Sequence, residues 1–195
     1  PLGGLSFHRH FTHALAFIPI GALVCAAVFW PWRRFAKYRL AVFWAALLGY
    51  ATHGLLDACT AYGTVLYWPF TERRVAWDLI GIIDPVFTLT LFVGLVVSVW
   101  LKRRSVAIAA FGLAMGYMGL GYVQHSRAAA VQQQLAQMRG DEIERNRVMP
   151  TPLNLVLWRA IYVADGQIRA DSIRVPWFGE PEVEVGKATE LVTRD

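Results

Sequence analysis

Charge is scarce in this chain. Only 17% of its 195 residues are Asp, Glu, Lys or Arg, a low share for a soluble domain. Cysteine is nearly absent too. Cys25 lies inside one apolar run and Cys59 just past another, which excludes a disulfide framework. Both read as small apolar residues, with Cys59 a remote alternative as a metal ligand. Internal repeats are missing, which weighs against a transporter. There is no opening methionine and no signal-peptide pattern. The chain starts at Pro1 in what reads as mid-loop, so further residues are expected upstream.

What is abundant is apolar and clustered. Hydrophobic residues make up 56% of the chain, and the mean hydropathy is +0.39. Four runs, residues 14–30, 41–56, 85–101 and 106–123, approach the roughly 17 to 25 residues needed to cross a bilayer core. Trp30, Trp32, Trp44, Trp68, Trp77 and Trp100 lie mostly near their ends, where membrane meets water. The expected fold is an all-α integral membrane bundle of at least four spans, with a small extramembrane C-terminal domain, β-rich or mixed. The expected division is 1–124 and 125–195.

The net charge of +5 does not point to nucleic acid, because the positive residues sit in short loops. Arg33, Arg34, Lys37 and Arg39 separate the first two runs, and Lys102, Arg103 and Arg104 separate the last two. Such loops face the cytoplasm. The expected arrangement is multi-pass, with the histidines, Asp57, Asp78, Asp84 and the C-terminal part on the outer face. Residues 60–83 join two spans there, and their YWPF cluster reads as a re-entrant or surface-lying segment.

Past Val123 the composition favours helix over residues 124–147, with Gly140 as an interruption and Pro150 and Pro152 as breakers. Asp165-Gly166, flanked by β-branched and aromatic residues, predicts a hairpin turn. The tail after Gly179 is weakly patterned, at most a further strand.

Chemistry concentrates at run ends. His53 and Asp57 are four residues apart, so a helix projects both from one face. Ionisable groups at a membrane helix end are costly and imply a partner or a function. His8 and His13 open the preceding run, which a short basic loop makes an antiparallel neighbour. Imidazole and carboxylate together suit zinc or a similar divalent ion. His8, His13, His53 and Asp57 are therefore the candidate ligands. The structural alternative stands beside this: a His–Asp pair at that spacing also ties helices together by hydrogen bonds.

Asp78 and Asp84 are candidates for a base or an orienting group. Asp84, just before Pro85, also reads as a helix cap, and Asp78 as a partner of Arg73 or Arg74. Those two arginines could hold an anionic phosphate or anchor to headgroups. His10 and His125 read as solvated surface residues, and Thr12 as a cap.

These motifs resemble a known family. HRHFTHAL (residues 8–15), THGLLDACTAYGTVLYWPFTERR (residues 52–74) and the Asp78–Pro85 segment are similar to the YdjM family of bacterial inner-membrane proteins, which are assigned as metal-dependent hydrolases. The positions that match are His8, Arg9, Thr12, His13, His53, Asp57, Thr60, Tyr62, Gly63, Pro69, Phe70, Arg73 and Arg74. PTPLNLVLWR (residues 150–159) resembles a segment of longer members. The order of motifs is also distantly similar to zinc-dependent phospholipases C, which implies further ligands upstream of Pro1. Other members begin with an additional helix bearing a TH pair and a PDxD motif, and neither occurs here.

The resemblance implies hydrolysis by a metal-activated water, on a lipid-linked or phosphoester substrate. The expected cofactor is a divalent metal, zinc, and the expected partners are membrane lipids and that substrate, with no nucleic acid. The competing expectation is a non-enzymatic membrane scaffold or partner-binding subunit with structural His–Asp pairs.

Overall fold

The computed structural model describes residues 10–191. Among these residues are four α-helices: α1, Ile18–Val28; α2, Arg39–Ala58; α3, Pro85–Leu101; and α4, Arg104–Arg139. Five strands follow: β1, Arg145–Pro150; β2, Leu157–Ala164; β3, Gln167–Arg174; β4, Glu182–Glu184; and β5, Ala188–Glu190. Two compact units divide the chain after Trp77.

In the first unit, α1 and α2 form a hairpin joined by a 3-10 turn, Arg33–Tyr38. Gly21 packs under the Tyr50 ring, and Gly54 packs against the His13 carbonyl, so the helices run antiparallel. Residues 60–77, the larger part of the 60–83 connection, fold into a compact loop. Thr64 and Val75 exchange backbone hydrogen bonds of 2.9 and 2.8 Å. Val65 and Leu66 are buried, and the Trp77 amide donates to the Ala58 carbonyl at 2.7 Å.

In the second unit, α3 and α4 are joined by a tight reversal, with Lys102 in the left-handed region. Gly94 lets the helices close against Ala110. The far half of α4 packs on an antiparallel sheet of order β1-β2-β3-β4, with β5 also paired to β3. The sequence reason is spacing. Ala128, Gln132 and Ala136 recur every four residues and are buried, so small side chains make room for Trp158 and Tyr162. Ala128, Val148, Trp158, Ala160, Ile173 and Val175 form one core cluster. Gln124 and Gln132 point into it without penalty, because Gln124 Nε2 donates to the Val175 carbonyl at 2.8 Å and Gln132 Nε2 to the Ile161 carbonyl at 3.1 Å.

The span count is met only in part, and two expectations need correction. Among the described residues, two helices are long and apolar enough to cross a membrane, Arg33–Ala58 with its 3-10 turn and Arg104–Arg139; Leu15–Val28 and Pro85–Leu101 are shorter apolar helices. Helix α4 ends at Arg139, with Gly140 at φ 74° closing it, and residues 145–147 are strand because they pair with Ile161–Val163. His125 is half-buried rather than solvated, with Nε2 3.2 Å from the Val148 carbonyl and its ring against Trp158.

The apolar surfaces remain open. Only 6% of the apolar window of Arg33–Ala58 and 17% of that of Arg104–Arg139 is buried. A core helix of a soluble protein would be covered; exposed aliphatic faces of this length fit a lipid solvent.

Candidate metal site

Helix α2 carries the first two groups. One helical turn separates His53 from Asp57, and His53 Nε2 lies 3.9 Å from Asp57 Oδ2. The third group comes from the other arm of the hairpin. A 3-10 turn, Phe11–His13, brings His13 Nε2 to 3.2 Å from the same oxygen. The two imidazole rings are 4.5 Å apart. One ligand atom from each of His13, His53 and Asp57 fits within a 4.8 Å group.

Local sequence explains the convergence. A Cβ at position 54 would collide with the His13 carbonyl oxygen, so only glycine between the two α2 ligands lets the segment of residues 12–14 approach. Tyr50, one turn earlier, donates its hydroxyl to the Thr12 carbonyl at 2.6 Å. The Leu15 amide donates to the Leu66 carbonyl at 2.9 Å, fixing the same segment from the loop side. Thr12 does not act as the expected cap. Its hydroxyl lies 2.9 Å from His13 Nδ1, which orients the ring and leaves Nε2 toward Asp57. Past the helix end, the buried Thr60 hydroxyl donates to the Asp57 carbonyl at 2.8 Å.

The geometry suits a divalent ion. Tetrahedral zinc with bonds near 2.0–2.1 Å places its ligand atoms roughly 3.3–3.5 Å apart, and the observed 3.2 and 3.9 Å lie on either side of that. His13 and Asp57 side chains are 18% and 17% exposed, while His53 is 51% exposed. The group is thus walled on one side and open on the other, as a site with an exchangeable position requires.

The other candidates fall as follows. His8 lies outside the described residues. His10 packs edge-on to Phe11 and Trp68 and is not in the group. Burial pushes the Cys59 thiol up to about 11, and it too stays outside. Arg73 and Arg74 are exposed on the compact loop, with Arg74 donating to the Gly63 carbonyl at 3.3 Å. In the second unit, Asp78 is held bidentately by Arg147, Nε and one terminal nitrogen each at 2.9 Å, rather than by Arg73 or Arg74. Asp84 caps α3 through the Phe87 amide at 3.0 Å and accepts the Tyr117 hydroxyl at 2.8 Å. Both oxygens of each carboxylate are therefore engaged.

Residues 1–128 match the family model described as YdjM inner membrane protein. The chain belongs to the YdjM family. The matched stretch contains His13, His53 and Asp57, along with the short basic loops. A YdjM-containing chain of this kind is also similar to a protein of Bacillus subtilis (strain 168) called "Uncharacterized protein YfhP", at 26% identity over 152 residues. That alignment covers 78% of this chain and 45% of the Bacillus protein, so the chain spans less than half the length of that relative. No solved structure matches.

Sequence reasoning missed two determinants of the site. Gly54 was visible as a glycine between the ligands of an HGLLD motif, a signal of close backbone approach. Thr12, adjacent to His13, could equally have been read as an orienting group.

Proposed function

We propose that this YdjM-family protein is a membrane-bound, metal-dependent hydrolase acting on a lipid-linked or phosphoester substrate. The observation that carries the reading is the convergence of His13, His53 and Asp57 from two sequence-distant segments onto one half-open group. Imidazole, imidazole and carboxylate form a donor set suited to zinc, and His8 is proposed as a further ligand. A divalent ion held there supplies a Lewis acid and lowers the pKa of a coordinated water toward neutrality.

The chain's own residues have separable tasks. Thr12 keeps the His13 ring in place and holds the Nδ1 proton, leaving Nε2 as the donor. Asp57 balances cationic charge beside both rings. Arg73 and Arg74 are proposed to neutralise a substrate phosphate. Asp78 and Asp84 carry structural hydrogen bonds through both oxygens, so the reading does not depend on either as a base. All four helices are proposed to cross the membrane, α1 and α3 with help from flanking residues and local thinning. Both basic loops would be cytoplasmic and the metal group on the outer face.

Purified protein assayed against phospholipids and polyprenyl phosphates tests this. Hydrolysis abolished by chelation and by His53→Ala is expected. Activity indifferent to both removes the reading. A second reading has one observation in its favour: His13 and Asp57 at 3.2 Å can tie the helix ends as a plain hydrogen-bonded pair in a non-enzymatic scaffold. Normal folding of His53→Ala together with no bound metal in the wild type would favour it.

A further inference from the structure

Large apolar side chains from three separate segments are exposed at one end of the C-terminal sheet. The chain leaves β3 through buried Val175 and then presents Trp177 and Phe178, which are 45% and 94% exposed. This loop is held against α4. Gln124 Nε2 donates to the Val175 carbonyl at 2.8 Å, and Arg127 to the Pro176 carbonyl at 2.9 Å. In the β1–β2 connection, Leu153 is exposed, and its amide donates to the Ile83 carbonyl at 2.9 Å. Ile82 and Ile83, also exposed, lead directly into α3.

The position of this rim along α4 identifies what covers it. From Ser105 to Val123 the helix rises about 27 Å, close to the roughly 30 Å hydrocarbon core of a bilayer. Arg127 lies one turn beyond, about 6 Å further, at headgroup depth. Asp84, adjoining Ile83, reaches Tyr117 on the membrane side of that boundary. Gly121 packs against the Leu79 carbonyl, so the segment leading to Ile82 and Ile83 lies level with the exposed Leu120, Tyr122 and Val123. Tryptophan and other aromatic rings favour this depth. The opposite end of the sheet is the hairpin at Asp165-Gly166, and strands of this length place it about 25 Å away.

We propose that the C-terminal sheet is seated on the bilayer through a rim of Ile82, Ile83, Leu153, Trp177 and Phe178, with the acyl–headgroup boundary of the same membrane as its occupant. The inference is independent of the hydrolase reading. It predicts a sheet that does not swing free of the lipid surface.

Site-directed spin labelling tests it in the full chain. In a Cys25→Ala background, Cys59 stays unlabelled because it is buried with its thiol pushed up to about 11. Nitroxides are placed at Phe178→Cys, at Leu153→Cys and, as control, at Asp165→Cys, in phosphatidylcholine nanodiscs holding one chain each. At 178 and 153, accessibility to oxygen over a water-soluble nickel chelate should exceed that at 165 several-fold. Adding Trp177→Ser and Phe178→Ser should raise chelate access at 153. Equal access at all three positions overturns the proposal. So does protection at 178 that appears only with two or more chains per disc, which would assign the rim to a second copy.

Discussion

In the N-terminal unit a carboxylate is shared by two imidazoles, whereas in the C-terminal unit the carboxylates of Asp78, Asp141 and Asp171 are gripped by Arg147, Arg169 and Arg139 at 2.7–2.9 Å. The difference is chemical as well as geometric. A guanidinium keeps its charge and has no lone pair to offer, so an Arg–Asp pair locks a fold and cannot exchange for a metal. An imidazole can lose its proton and become a ligand. The same acidic residue type is thus a strut in one unit and a ligand candidate in the other, and the partner decides which.

The sharpest way to break this contrast is to remove a ligand. His53→Ala or Asp57→Asn should reduce bound divalent metal from about one equivalent to less than roughly a tenth, measured by elemental analysis, while the sheet keeps its thermal stability. The converse change acts on the strut. Arg139→Leu leaves the buried Asp171 carboxylate without its guanidinium, and loss of such a partner costs about 3–5 kcal/mol. Hydrogen exchange of β2 and β3 amides should rise accordingly, with metal content unchanged.

Smaller effects sharpen the comparison from within each unit. Gly54→Ala pushes the His13 carbonyl away from α2, and Thr12→Val removes the partner of His13 Nδ1. Each should weaken metal affinity about 10- to 100-fold in a calorimetric titration without unfolding the hairpin. In the sheet, Tyr162 is fully buried and donates to Asp141 at 2.7 Å. Burial and this bond raise its pKa above the ordinary 10.0, against the pull of Arg139. A raised pKa means the folded state holds the proton more tightly. That contribution is complete below the ordinary tyrosine pKa and is lost as pH climbs through the raised value. The unfolding temperature of the sheet should therefore fall in alkali more steeply than in Tyr162→Phe.

Local signals in the sequence translated well into structure. Asp165-Gly166 forms the expected turn, both residues at positive φ, 51° and 70°. His53 and Asp57 share a face because the helical period requires it, and the short basic loop brings His13 beside them. What was hidden depends on distant partners. Nothing near Asp78 names Arg147, 69 positions away. The helix-forming composition before Val148 gives no hint that Arg145–Pro150 is a strand, because β2 supplies the hydrogen bonds that override it. Span number is harder to read for a related reason. Apolar runs count residues, but α1 closes after 11 residues, and the turns around it take up the rest.

The most direct test of the central claim is the metal content of the purified chain, read by elemental analysis and by X-ray absorption at the edge of the metal found. The account predicts about one tightly held divalent ion with nitrogen and oxygen neighbours near 2.0–2.1 Å, lost in a His53→Ala/Asp57→Asn double variant that still folds. A wild-type chain carrying no more metal than that variant, after incubation with zinc, would contradict it.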